Sequence, residues 1–173
     1  FFAVIVTVNL LYQVSVVGLD PLQMVLVGTA LEATVFLCEI PTGVLADAKS
    51  RKLSIVIGTA LTGVGFMVEG SLPFFATVVV GQMLWGVGHT FTSGATQAWI
   101  ADELGEQRVG AAFLRGAQMR QLGGFLGIPL SVGLGLEVVQ VPIVVGGAGF
   151  ALLAGFCLLM MPEEGFRPTQ MEE

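Results

Sequence analysis

Basic residues are scarce in this chain: seven Lys and Arg stand against thirteen Asp and Glu in 173 residues, for a formal net charge of −6. That leaves no basic surface to neutralise phosphates, and nucleic-acid binding is excluded. Charge of either sign is also thin, at 12% of residues, against about 25% in soluble domains. Cysteine is nearly absent. Cys38 and Cys157 both fall inside apolar runs, where a free Cys behaves as a small buried hydrophobe. No CxxC or comparable ligand spacing occurs, so neither a disulfide framework nor a metal site is implied, and nothing asks for another cofactor. A Walker sequence is missing as well, so the chain does not itself bind ATP in that way. What remains is 54% hydrophobic residues and 24 glycines at a mean hydropathy of +0.87. This is the composition of an integral membrane protein.

Crossing a bilayer takes about 20 mostly apolar residues. Six stretches fit, at roughly 1–17, 22–46, 53–70, 74–101, 116–136 and 142–161. Backbone groups in lipid must be satisfied internally, so these spans are expected to be helices. The segments "GLDP", "DAKSRK", "GSLP", "DELGEQRVGAAFLR" and "LEVVQVP" separate them and read as turns or charged loops. The opening "FFAVIVTVNLLYQV" has no basic leader and no small-residue cleavage site, so it reads as a span entered partway, in a piece of a longer chain.

Lys and Arg accumulate on the cytoplasmic side of membranes. Lys49, Arg51, Lys52, Arg108, Arg115, Arg120 and Arg167 all fall on one side of the six-span arrangement. Both ends of the segment are therefore expected in the cytoplasm, with residues 1–161 forming a transmembrane bundle and residues 162–173 opening a cytoplasmic linker. "EIPTGVL" in span 2 resembles "GIPLSVGL" in span 5, with Pro41 and Pro129 half a chain apart. Because these spans run in opposite directions, the similarity suggests a 3+3 inverted repeat, as in secondary transporters.

Polar side chains inside spans mark cavities or helix contacts. Gln82, His89, Ser93 and Thr96 share one stripe of span 4, and Asn9, Tyr12 and Gln13 share one of span 1. Spans 1 and 4 are thus the expected cavity walls. Span 6 has no polar side chain between Ile143 and Met161 and is expected to face lipid. Glu32 and Glu39 lie two turns apart on span 2, about 22 Å and about 12 Å from Asp47 at 1.5 Å per residue. At mid-membrane an isolated charge costs at least about 3 kcal/mol, which makes Glu32, and Glu39 on the same face, candidates for a substrate or proton pathway. His89 is the only histidine and lies at a similar depth, where an imidazole can relay a proton. Gln82, Gln13 and Arg120 join the same pathway set, although Arg120, one and a half turns inside span 5, can also snorkel to the interface. Glycines recur through the later spans and allow helices to approach closely.

Residues 43–52, "GVLADAKSRK", resemble the loop 2–3 signature of the major facilitator superfamily, G-x-L-x-D-R-x-G-R-[RK]. Gly43, Leu45, Asp47, Arg51 and Lys52 match in register, while Ala48 and Ser50 replace the usual Arg and Gly. "EIPTGVLAD", "GATQAWIADELGEQR" and "MPEEGFRP" are similar to segments of its bacterial drug-efflux members. Where the family's span 4 often begins with Arg, this chain has Gly81 and Gln82, and the glycine-proline signature of span 5 is only partly present in Gly123, Gly127 and Pro129. The resemblance covers the whole chain as the amino-terminal six-helix half of a twelve-helix transporter. It implies Gly43, Asp47, Arg51, Lys52 and Asp102 as a conformational latch, and a carboxy-terminal half as partner.

The fold expected is therefore an all-α membrane protein of six transmembrane helices, multi-pass in the cell inner membrane. The expected activity is efflux of a small organic molecule by alternating access, coupled to an ion gradient, the ion being the proton. An uptake symporter of the same fold is the nearest alternative, and an intramembrane hydrolase built on His89 and Ser93 or a channel are more distant ones. The hydrolase is weakened because "FTSGA" offers no G-x-S-x-G elbow.

Overall fold

The computed structural model describes residues 1–166, apart from the side chain of Glu106; Arg167 and the rest of the expected linker lie outside the described residues. Every element among them is helical. The first helix, α1 (Phe2–Leu11), runs on into one π turn (Tyr12–Val16), and Gly18 then reverses the chain at φ 73°. Helix α2 (Pro21–Ala48) starts at a capping box: Asp20 accepts from the Gln23 N–H at 2.8 Å, and the Gln23 side chain accepts from the Asp20 N–H at 3.0 Å. Pro21 occupies the first turn, where its missing N–H costs nothing. Helix α3 (Arg51–Ser71) is capped by the Ser50 hydroxyl, which accepts from the Leu53 N–H at 2.9 Å. Next come α4 (Phe75–Thr92), α5 (Ala95–Leu104), α6 (Glu106–Gly135) and α7 (Val141–Met160).

Two expectations are corrected here. The stretch 74–101 is two helices, because the chain breaks after Thr92 and passes through Gly94 at φ 56°, a left-handed conformation open to glycine. The expected loop at 102–115 is mostly helix. A single residue, Gly105 at φ 70°, separates α5 from α6. Its charges mislead: Glu, Gln, Arg, Ala and Leu, which dominate residues 106–115, are all good helix formers.

Three helices are long and apolar enough to cross a membrane by length and composition: Pro21–Ala48, Arg51–Ser71 and Val141–Met160. Helix α4 is diluted by its glycines, Gln82 and His89, and the apolar end of α6 by Gln118, Arg120 and Gln121.

Helix α3 is the hub and packs on α4 and α7. Glycines set both seams. A Cβ on Gly65 would stand 2.6 Å from the Gly81 carbonyl oxygen, and one on Gly58 would stand 2.5 Å from that of Gly88, so the antiparallel α3 and α4 meet backbone to backbone at two levels. On the other side, Gly63 and Gly147 approach equally closely, with 2.7 Å from a Gly63 Cβ to the Gly147 oxygen. Lipid supplies no hydrophobic drive between helices, so contact of this kind, not sequestration from water, holds the seams. Helix α7 therefore does not simply face lipid. Pro142, Ile143, Gly146, Gly147, Gly149 and Ala154 are buried, while Leu152, Phe156 and Leu159 on its other side are exposed. Ile5, Val8, Tyr12, Phe66, Val78 and Ile143 form the main apolar core.

Candidate functional site

Three groups of polar residues stand out. The first lies on the open face of α2, α4 and α6. Glu32 and His89 are both exposed and, with Leu31, Val35 and Trp85, line one cavity of about 180 Å³. No hydrogen bond or ion pair joins them among the described residues. His89 also borders a larger cavity of about 550 Å³ at the α4–α5 break, where Ser93, Thr96 and Gln97 face Arg120 of α6. Arg120, exposed in turn, reaches a further cavity beside Phe2 and Thr7 of α1. The structure thus gathers Glu32, His89 and Arg120 along one face. Glu39 is exposed on α2 outside these cavities. Ser93 contacts His89 only through its backbone N–H, which donates to the His89 carbonyl at 2.8 Å.

The second group sits where α2, α3 and α5 meet. Arg51 Nη1 contacts Asp102 Oδ2 at 2.5 Å, and Arg51 Nη2 lies 3.6 Å from Asp47 Oδ1. Gly43 lies one turn before Asp47, in open space. Residues 162–166 fold back over the cluster. The Glu163 carboxylate accepts from the Ser50 hydroxyl at 2.8 Å and from the Lys52 backbone N–H at 2.9 Å, occupying the positive N-terminal end of α3. The Trp99 indole donates to the Pro162 carbonyl at 2.8 Å, and the Phe166 ring centroid lies 5.9 Å from the Arg51 guanidinium carbon. Sequence reasoning missed Glu163, which read as linker.

The third group centres on a residue that sequence reasoning missed. Glu69 of α3 is completely buried. Its Oε1 accepts from Gln13 Nε2 at 2.9 Å and its Oε2 from Gln82 Nε2 at 2.7 Å, while the Tyr12 hydroxyl donates to the Glu69 main-chain carbonyl at 2.8 Å. Gln13 and Gln82 are both buried and both donate to this carboxylate. Their stripes turn inward to a shared acceptor on α3. Tyr12 and Gln13 both lie in the π turn. A signal did exist: two amide-bearing stripes on separate apolar helices require a partner, and Glu69 is the one acid of α3.

No solved structure matches the chain. It is similar to YxaM of Bacillus subtilis (strain 168), named an uncharacterised MFS-type transporter, with 26% identity over 100 residues; the match covers 58% of this chain and 25% of that relative. Residues 1–171 match the model of the Major Facilitator Superfamily, and the chain belongs to that family of multi-pass membrane transporters.

Proposed function

We propose that the chain is the amino-terminal half of a secondary active transporter of the inner membrane. It exports a small organic molecule by alternating access against a carboxy-terminal six-helix half, and the coupling ion is the proton. The observation that carries this reading is the convergence of Glu32, His89 and Arg120, from three different helices, on connected cavities of one exposed face. Trp85 adds an aromatic wall for the apolar part of an amphipathic substrate. The Arg51 cluster then acts as the conformational latch, with Asp102 its principal acceptor.

The six-span topology and the 3+3 repeat are part of the same proposal. With α4 and α5 taken together as span 4, the five most extensive packings join spans 3 and 4, 3 and 6, 2 and 4, 1 and 5, and 1 and 6. Exchanging spans 1, 2 and 3 with 4, 5 and 6 maps these five onto themselves, which supports an inverted repeat, although the lighter contact between spans 4 and 5 has no equal between 1 and 2.

The test is substrate accumulation by the full-length transporter in proteoliposomes under an imposed pH gradient. Glu32→Gln should fold and bind substrate but lose accumulation, and His89→Gln should change the pH dependence. Accumulation at the unmodified protein's level by Glu32→Gln would make this glutamate a packing residue.

A further inference from the structure

Glu69 belongs neither to the open-face cavities nor to the Arg51 cluster. Its surroundings supply dipoles without a countercharge. From the first helix and its π turn come Asn9, Tyr12 and Gln13, with Gln13 Nε2 3.4 Å from Asn9 Oδ1; from α4 come Gly81 and Gln82; and Ile143 and Val144 of α7 lie against the neighbouring Gly70. Tyr12 is the one titratable side chain in that set. The ion pairs among the described residues both belong to Arg51, and none reaches Glu69. A carboxylate here forfeits the hydration of a full charge in exchange for two neutral amide hydrogen bonds, a poor trade in a dry interior. The group is nevertheless near the end of its helix, since two residues, about 3 Å of helix, separate it from the exposed Ser71 at the end of α3.

We propose that the Glu69 carboxyl is a proton-binding site. One carboxylate oxygen takes up a proton, forming an O–H bond and cancelling the charge. The glutamine amide facing that oxygen turns over, so its N–H donor is replaced by a carbonyl oxygen that accepts from the new hydroxyl. An amide's nitrogen and oxygen are nearly alike in size, so the exchange needs no extra space. A metal cation would need a shell of several oxygens, whereas the two carboxylate oxygens here face amide nitrogens of Gln13 and Gln82. Because the two amides come from the first helix and from α4, each protonation rewrites a tie between α3 and one of its neighbours. The occupied and empty forms therefore favour different helix arrangements. As a coupling site this rests on the transport reading above, whereas proton binding itself does not.

The test is infrared difference spectroscopy of the full-length protein in lipid vesicles as pH is varied, with potassium or sodium as the buffer cation. A protonated-carboxyl C=O band should appear on acidification, be absent in Glu69→Gln, persist in Glu32→Gln and be indifferent to sodium. Should Glu69→Gln fail to fold, Gln82→Leu, which removes one amide partner, should displace the midpoint at which the band appears. A band unaffected by either change, or no Glu69 band at any pH where the protein stays folded, would overturn the proposal; replacement of the band by sodium would assign the site to a metal cation instead. A titrating Glu69 band in a protein that accumulates no substrate would uphold the site and refute the transport reading.

Discussion

Replacing Asp102 by Asn keeps the side chain's shape and removes its charge, and the geometry fixes how much this should matter. Arg51 and Asp102 meet at 2.5 Å with side chains 16% and 26% exposed, whereas Asp47 stands 3.6 Å from Arg51 and is 55% exposed. A hydrogen bond between charged, partly buried groups contributes about 1.5–3 kcal/mol. An exposed, longer ion pair contributes about 0.2–1 kcal/mol. If the cluster forms in only one of two conformations, its loss shifts their ratio by the full amount. At 1.4 kcal/mol per tenfold, that is about 10–150-fold for Asp102→Asn and at most about fivefold for Asp47→Asn. The assay is cysteine accessibility on both faces of the full-length transporter, read alongside turnover and substrate affinity. Asp102→Asn should shift the accessibility ratio at least about tenfold and slow turnover far more than it weakens binding. High salt should erase the Asp47 contribution first, since exposed pairs are the better screened. A larger effect from Asp47→Asn than from Asp102→Asn, or unmoved populations in both, would refute the latch.

Glycine substitutions separate the seams from open helix. Gly58→Ala drives a Cβ to 2.5 Å from a backbone oxygen of α4 and should cost about 1–3 kcal/mol, a fall in Tm of several degrees followed through Trp85 fluorescence. Gly28→Ala, with nothing within 4 Å, should leave Tm unchanged or raise it, and equal effects would show that the α3–α4 approach is not tight. For topology, Ser71→Cys should label from outside the cell and positions 47–52 from within, as the Lys and Arg asymmetry requires. Labelling of Ser71→Cys from the cytoplasm alone would overturn the six-span arrangement.

How much was legible in the sequence depended on whether a feature is local. The family resemblance of residues 43–52 implied Asp47, Arg51 and Asp102 as one cluster, and the structure brings these three together. The ends of α3 and α7 agree with the hydropathy limits to within two residues, because capping at Ser50 and Pro142 in the first turn of α7 are local signals. The break at Gly94 was not legible, since "FTSGATQAW" carries no charge and one glycine inside a helix is unremarkable. The start of α6 was missed for the opposite reason. Charge marks where a chain leaves lipid, not where a helix begins.

The polar stripes show where sequence reasoning reaches its limit. Gln82 and His89 lie seven residues apart on α4, on nearly the same face, yet Gln82 is buried against Glu69 and His89 is exposed to the cavities. Nothing in the periodicity separates them, because a stripe gives direction without saying what stands opposite. What separates them is the neighbouring helix at each level. At Gln82 the close glycine seam, Gly65 against Gly81, brings α3 within hydrogen-bond reach, and a donor there must find an acceptor. At His89 the same face opens onto cavities bordered by α2 and α6, and by Phe2 of the first helix with Thr59 and Thr62 of α3. One face of one helix thus ties the bundle at one level and walls the cavity at another. The glycine spacing of α3, seven residues from Gly58 to Gly65, matches that of Gly81 and Gly88 on α4, so the two helices approach at both levels. A change at Glu69 therefore bears on the helix that carries His89, although the two side chains never meet.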